Sequence, residues 1–290
     1  MVKKSRRDIE QEVTDKVIAQ LEKGVAPWRK SWATGEGLAL RENGQPYRGY
    51  NQFILSMSGY ASPFWFTYKK ASELGGQVRK GEKGTSIHFF KPLAITDKDT
   101  GEDKKIPLMK FYSVFNAEQI DGLPEKFFPK PVERTEVERD AGAEEYIKNI
   151  PAVIRHGGGS AFYSPSTDFI QVPDASAFFD SMGDYYSTVL HELAHWTGHK
   201  TRLDRDLRNS FGTKDYAREE LCAEASSAII CAHLGLEAEP REDHASYIKE
   251  WLSVLKEDKT ALRKAFAKAQ KVVDFLDTFQ VLSNLKKEAA

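Results

Sequence analysis

The sequence predicts an α+β protein of two domains, an N-terminal α+β domain and a C-terminal, mainly helical domain with a small β-sheet. Three observations carry this. Strand-like runs rich in aromatic and β-branched residues concentrate before residue 130, long helical periodicities concentrate after residue 180, and a Pro- and charge-rich passage separates the halves at Phe128-Pro129-Lys130-Pro131-Val132-Glu133-Arg134. Charge divides at the same place: residues 1–130 carry 22 Lys/Arg against 16 Asp/Glu, and the remainder 20 against 27, although the whole 290-residue chain nets only −1. The expected division is a domain over 1–130, a linker over 131–140 and a domain over 141–290.

From the N-terminus, Ile9, Val13, Val17 and Leu21 recur at four-residue steps and end at Gly24 before Pro27, which predicts an amphipathic helix. Basic and aromatic residues then interleave: between Pro27 and Lys91 there are ten Lys/Arg, four Asp/Glu and twelve aromatics. A strand over 85–90 is expected to pair with one over 110–115 across a polar loop around Asp97 to Lys105. After the linker, 144–149 reads as helix, three short strands follow near 152–155, 160–163 and 168–172, and helices follow over about 183–198, 215–235, 241–256 and 258–283.

The composition is that of a soluble protein, 40% hydrophobic and 29% charged, with no apolar run approaching the roughly 18–20 residues that span a bilayer. The basic Met1-Val2-Lys3-Lys4-Ser5-Arg6-Arg7 leads into a polar helix and does not read as a signal peptide. The two cysteines, Cys222 and Cys231, lie nine apart on one expected helix and face opposite ways, so they do not pair. A cytoplasmic location with no membrane partner is expected.

The chemistry concentrates at His191-Glu192-Leu193-Ala194-His195, an HExxH pattern inside a helical run; chance alone would give about 0.01 such matches in a chain of this length. Four-residue spacing places both imidazoles on one helical face, able to meet at a single metal ion, with Glu192 beside them as general base. Zinc is the expected ion, although another divalent ion such as Mn2+ also suits such donors. A third histidine at the glycine-turn spacing would fall at position 201, which is Thr201. The alternative is a glutamate from the helix opening at Arg218-Glu219-Glu220-Leu221-Cys222-Ala223-Glu224. Glu220 is expected as ligand and Glu224 as its support or alternative, with Glu219 also a contender.

In the N-terminal half, exposed aromatic faces with neighbouring cations are what a single nucleic-acid strand requires, stacking its bases and following its backbone. Trp28, Arg29, Trp32, Tyr47, Arg48, Tyr50, Lys69, Lys70, Arg79, Lys80 and Lys83 are the candidates. A DNA mimic acting through acidity would be strongly anionic, which a net charge of −1 suits poorly.

Two blocks of residues resemble a known family. Pro27-Trp28-Arg29, Tyr47-Arg48-Gly49-Tyr50-Asn51 and Arg79-Lys80-Gly81-Glu82-Lys83-Gly84 resemble the N-terminal domain of ArdC-type antirestriction proteins. The segment HELAHWTGH, with Tyr216-Ala217-Arg218-Glu219-Glu220-Leu221-Cys222-Ala223-Glu224, is similar to that family's metallopeptidase-like domain. The resemblance implies a single-stranded-DNA-binding domain joined to a zincin-like metallopeptidase domain, in a plasmid-encoded protein that helps incoming conjugative DNA escape host restriction. Restriction-modification subunits are then candidate protein substrates; the alternative is a pure single-stranded-DNA-binding protector whose metal centre is structural or vestigial. Related N-terminal domains also occur in plasmid primases, but no primase motif is present here.

Overall fold

The computed structural model describes residues 8–30, 38–96, 103–129, 136–178, 182–207, 212–236 and 244–288. The chain divides into two compact units. One is assembled from two separated segments, residues 1–38 and 131–290; the other is residues 39–130, inserted in sequence between them.

The first segment holds α1 (Ile9–Leu21) and α2 (Pro27–Lys30). Asp8 caps α1 by accepting from the Gln11 amide at 3.1 Å. The expectation of a single module over 1–130 differs from this grouping, and the reason lies in α1 and α2 themselves. Val17 and Leu21 are buried, Thr14 Oγ1 donates to the Lys259 carbonyl at 3.0 Å, and Glu10 and Asp8 pair with Arg263 and Lys259. Trp28 is wholly buried, edge-on to Trp251 with ring centroids 5.1 Å apart. The partners of these helices thus lie more than 200 residues away, beyond the reach of local patterning.

The inserted unit runs β1 (Leu40–Arg41), α3 (Gly49–Ser56), β2 (Phe64–Thr67), α4 (Tyr68–Glu73), β3 (Gln77–Val78), β4 (Thr85–Thr96), β5 (Asp103–Asn116) and β6 (Ile120–Asp121). Its main sheet has the order β1-β2-β5-β4, with β1 parallel to β2 and the other pairs antiparallel. Alternation along the strands feeds two cores. Trp65, Ile87 and Val114 join Ala39, Tyr47 and Leu55 in one, while Phe66 joins Ala71, Val78, Ala117, Ile120 and Phe127 in the other. β2 pairs β5 only at residues 114–116, so most of the β4–β5 pairing forms a two-stranded ribbon. Asn51 braces the outer edge of that ribbon: its amide donates to the His88 carbonyl at 2.7 Å and accepts from the His88 N–H at 2.8 Å, as a neighbouring strand would.

The second segment begins with α5 (Glu136–Lys148), so residues 136–140, expected in the linker, are helical. A three-stranded sheet follows in the order β7-β9-β8, from β7 (Val153–His156), β8 (Phe162–Ser164) and β9 (Phe169–Val172), which leaves β8 at an edge. Among the described residues four helices follow: α6 (Met182–Thr197), α7 (Lys214–Leu234), α8 (His244–Glu257) and α9 (Ala261–Glu288). α7 is buried along most of its length because α6, α8 and α9 all pack on it. Thr213 caps its start, accepting from the Tyr216 amide at 3.2 Å, and Gly235, at φ 71°, ends it in the left-handed conformation that glycine adopts without a Cβ clash. Cys222 and Cys231 are both buried free thiols on α7. Among the described residues no helix is long and apolar enough to cross a membrane.

Candidate metal centre

The centre forms where α6 crosses the first turns of α7. The apolar side of α6 (Val189, Leu190, Leu193, Ala194) is buried and fixes the rotation of the helix. His191 and His195, one turn apart, then meet with Nε2 atoms 3.1 Å apart. Glu220 lies across both, with Oε2 3.4 Å from His191 Nε2 and Oε1 3.3 Å from His195 Nε2. Donors bound to one tetrahedral ion at zinc-like lengths lie about 3.3 Å from one another. The three side chains offer ligand atoms all within 4.8 Å, a donor set that fits one divalent cation.

The other glutamates of α7 occupy the outer nitrogens. Glu224 Oε1 lies 3.1 Å from His191 Nδ1, and Glu219 Oε1 lies 3.3 Å from His195 Nδ1. Each imidazole thus presents one nitrogen to the common point and turns the other toward a carboxylate, an arrangement that favours the ligating orientation of the ring. Glu219 is further held by Arg205, whose Nη2 donates to Oε1 at 2.9 Å and Nε to Oε2 at 3.1 Å. Arg205 also donates to Thr197 Oγ1 at 2.8 Å and to the Ala194 carbonyl at 2.6 Å, pinning the last turn of α6. Gly198 makes room for this: a Cβ there would lie 3.0 Å from the His195 carbonyl and 3.1 Å from Arg205 Nη2.

Four buried carboxylates (Glu192, Glu219, Glu220, Glu224) therefore surround two imidazoles, with the Arg205 guanidinium as countercharge. Such an excess of buried negative charge calls for cations. Burial alone pushes the His191 imidazolium toward deprotonation, but Glu220 and Glu224 outweigh it and raise its pKa to about 9. His195 is likewise raised well above the ordinary histidine range, against burial, by Glu220 and Glu219. Burial opposes ionisation of Glu220, yet the two histidines hold it below the usual carboxylate range.

The donors open onto a cavity of about 220 Å³ that Glu192 also lines. One wall is Ala161, Phe162 and Tyr163 at the edge strand β8; another is Tyr216 and Tyr247, with stacked rings and hydroxyls 3.4 Å apart. Arg202 fastens the β8–β9 turn to α6. It donates to Tyr163 Oη and Asp168 Oδ2, both at 3.1 Å, and to the Trp196 carbonyl at 2.6 Å, with its guanidinium 4.0 Å from the centre of the Trp196 ring.

His191, Glu192, His195, Glu220 and Glu224 are thus brought together as a group. Arg205 and Arg202 escaped sequence reading because they come from an irregular loop in which no spacing rule operates. The nucleic-acid candidates are placed differently. Trp28, Tyr47 and Tyr50 are buried, so their faces belong to core packing and are not open to bases. Trp32 and the side chain of Arg29 lie outside the described residues. Lys69 and Lys70 pair with Glu73, and Arg79 is committed to Glu82, Asp121 and the Glu118 carbonyl. Arg48, Lys80 and Lys83 are exposed. Among the described residues, the large exposed rings of the inserted unit are instead Tyr68, Phe89, Phe111, Tyr112 and Phe128.

Comparison with known proteins places these features in a family. Residues 7–115 match the N-terminal domain of anti-restriction factor ArdC, and residues 141–268 match a zincin-like metallopeptidase family. The crystal structure of the metal-free antirestriction ArdC protein from plasmid R388 is 43% identical, with a TM-score of 0.79 over 94% of this chain and 98% of that one. The chain belongs to the ArdC family of antirestriction proteins. The Mn(II)-bound structure of that same R388 protein aligns at 42% identity with a TM-score of 0.76, over the same shares of the two chains. A divalent metal is accordingly the class of ion that the family and this donor set indicate. A protein from Sinorhizobium fredii (strain NBRC 101917 / NGR234), y4eC, is 39% identical over 94% of this chain and 92% of its own length. DNA primase TraC of Escherichia coli is 42% identical over 95% of this chain, which spans only 27% of that relative.

Proposed function

We propose that this protein protects incoming conjugative plasmid DNA from host restriction, binding single-stranded DNA through the inserted unit and acting on a protein partner through a zinc-type hydrolytic centre. The observation that carries the hydrolytic half is the convergence of His191, His195 and Glu220 on one point, with Glu192 lining the same cavity. A divalent ion held by those three residues would supply a Lewis acid that polarises a scissile carbonyl. Glu192 accepts the proton of the attacking water and returns it to the leaving amine. The outer carboxylates Glu219 and Glu224 keep both imidazoles in the ligating tautomer, and β8, at the sheet edge beside the cavity, offers backbone groups to an extended peptide.

Zinc is the proposed ion, Mn2+ its alternative, and subunits of restriction-modification systems are the proposed partners, met in the cytoplasm. The DNA-binding half rests on family membership and on charge: residues 39–130 carry 14 Lys/Arg against 10 Asp/Glu, whereas the rest of the chain carries 28 against 33. A second reading, a DNA protector whose metal centre is structural or vestigial, is disfavoured because Glu192, which a structural site would not need, is retained and lines the cavity. Priming of the TraC kind is not part of the proposal.

The test is Glu192→Gln, nearly isosteric but unable to take the proton. Metal content, DNA binding and fold should be retained while cleavage of a restriction subunit, assayed with and without DNA, disappears. Full protection of incoming DNA by this variant would remove hydrolysis from the biological role and leave DNA binding to explain it.

A further inference from the structure

The β4–β5 ribbon carries the features that the sequence candidates Trp28, Tyr47 and Tyr50 lack. Phe89 and Tyr112 are 48% and 46% exposed, and their rings meet edge to face with centroids 5.7 Å apart. The register explains the pairing: Ile87 opposes Tyr112 and Phe89 opposes Lys110, so Phe89, Tyr112 and Lys110 share one face of the ribbon as direct and diagonal neighbours. The same face begins in the core at Val114 and Ile87, and its aromatic pair lies beyond the three-residue stretch where β2 flanks β5. Rings anchored at their base by a packed sheet, and open above, hold a defined position without being enclosed.

We infer that Phe89 and Tyr112 are the platform on which the inserted unit stacks bases of single-stranded DNA, with Lys110 facing the phosphates beside them. The inference rests on the single-strand-binding reading above and names its contact residues. An edge-to-face pair exposes one ring's face beside the other's edge, which suits an unpaired base that can turn to stack; bases in a duplex are already stacked on one another. Charge favours a polyanion over a second copy of the chain. Lys110, with Lys80 and Lys83 on the turn leading into β4, is exposed and makes no ion pair among the described residues, and the unit as a whole is cationic. Two such faces brought together would oppose like charges.

The experiment uses the full-length protein and a fluorescein-labelled 30-mer of thymidylate, followed by anisotropy over a salt series, with a duplex of equal length alongside. Each ring replaced by alanine should weaken single-strand binding about five- to 150-fold, the span expected for a stacked base, so F89A/Y112A should lose most of the affinity. F89Y/Y112F, which keeps both rings, should bind like the parent. K110Q should flatten the dependence of log K on log salt by about 0.7, one phosphate contact to a single strand, whereas the ring variants should leave that slope unchanged. Thermal melting of each variant controls for folding. If the parent binds the 30-mer and F89A/Y112A binds equally well, this platform is wrong while single-strand binding stands. If the parent itself does not bind, the single-strand reading fails first. Loss of self-association in F89A/Y112A, seen by sedimentation without loss of DNA affinity, would reassign the face to a contact between copies.

Discussion

The metal centre and the aromatic ribbon take their chemistry from opposite relations to the core. At the centre the side chains lie on two helices and are largely enclosed, and His191, His195, Glu219, Glu220 and Glu224 each face a histidine nitrogen or a carboxylate. On the ribbon the residues that matter are those the core fails to cover, since β2 flanks only residues 114–116 of β5. Burial makes the first site intolerant of change and legible as a motif. Exposure makes the second tolerant of change and legible only once the sheet's extent is known. The same ring chemistry therefore has two meanings in one chain: Trp28 is a core strut, Phe89 a surface.

That contrast can be broken most sharply at the ligands. Glu220→Ala should abolish stoichiometric metal, measured by elemental analysis after dialysis, and leave DNA affinity unchanged; retention of metal would mean that Glu219 or Glu224 is the third ligand. Next in size is Trp28→Ala, expected to destabilise the unit containing the metal centre by about 3–5 kcal/mol in urea titration, the usual loss for a buried tryptophan. A loss below about 1 kcal/mol would show that the first segment contributes little to that unit. Glu219→Gln and Arg205→Ala should each lower metal affinity about 10–100-fold in chelator competition without removing the ion, as expected for partners that orient a ligand. An effect as large as that of Glu220→Ala would erase the distinction between ligand and support.

A smaller effect concerns pH. In the metal-free protein His191 has a folded pKa raised to about 9 against an ordinary 6.5, so it binds its proton more tightly folded than unfolded. Its contribution to stability is complete below about 6.5 and is lost as pH rises toward 9. Melting temperature in chelator should therefore decline across that window, while metal affinity climbs as the competing protons leave. A flat profile would mean that the carboxylates do not hold the histidine charged. Smallest of all, Phe89→Ala should change stability by no more than about 0.5 kcal/mol, as an exposed position does.

Much of the helical framework was legible because its signals are local. The four-residue steps of α1, the spacing of HELAH and the start of α7 each depend on residues within a few turns. Glu220 could be named because a helix shortly after HExxH is a common source of the third ligand, and Glu224 because it lies one turn further on. The β4–β5 pairing was expected, though shorter than observed, since alternation persists past the last aromatic. What escaped depends on distant partners. Nothing near Trp28 announces Trp251, nothing near Tyr47 announces the core of Trp65 and Ile87, and Arg205 acts by meeting Glu219 from a loop. Counting aromatics and cations could not say which rings are exposed, because composition carries no information about which face of a strand is covered.

The packing of Trp28 against Trp251 also sets an order of assembly. The unit containing the metal centre is discontinuous in sequence, with the whole of residues 39–130 between its two parts. During synthesis α1 and α2 emerge first and wait for α8, while the inserted unit has all its strands available once residue 130 has left the ribosome. Closing a flexible loop of that length costs about 4 kcal/mol of chain entropy. If the inserted unit folds first, its two ends are already held at a fixed separation and much of that cost is met before α1 and α2 find α8. Early folding of the inserted unit is thus a kinetic aid to the unit that carries the histidine–glutamate cluster, and a ribosome stalled before residue 251 would leave Trp28 exposed to whatever chaperone or protease meets it first.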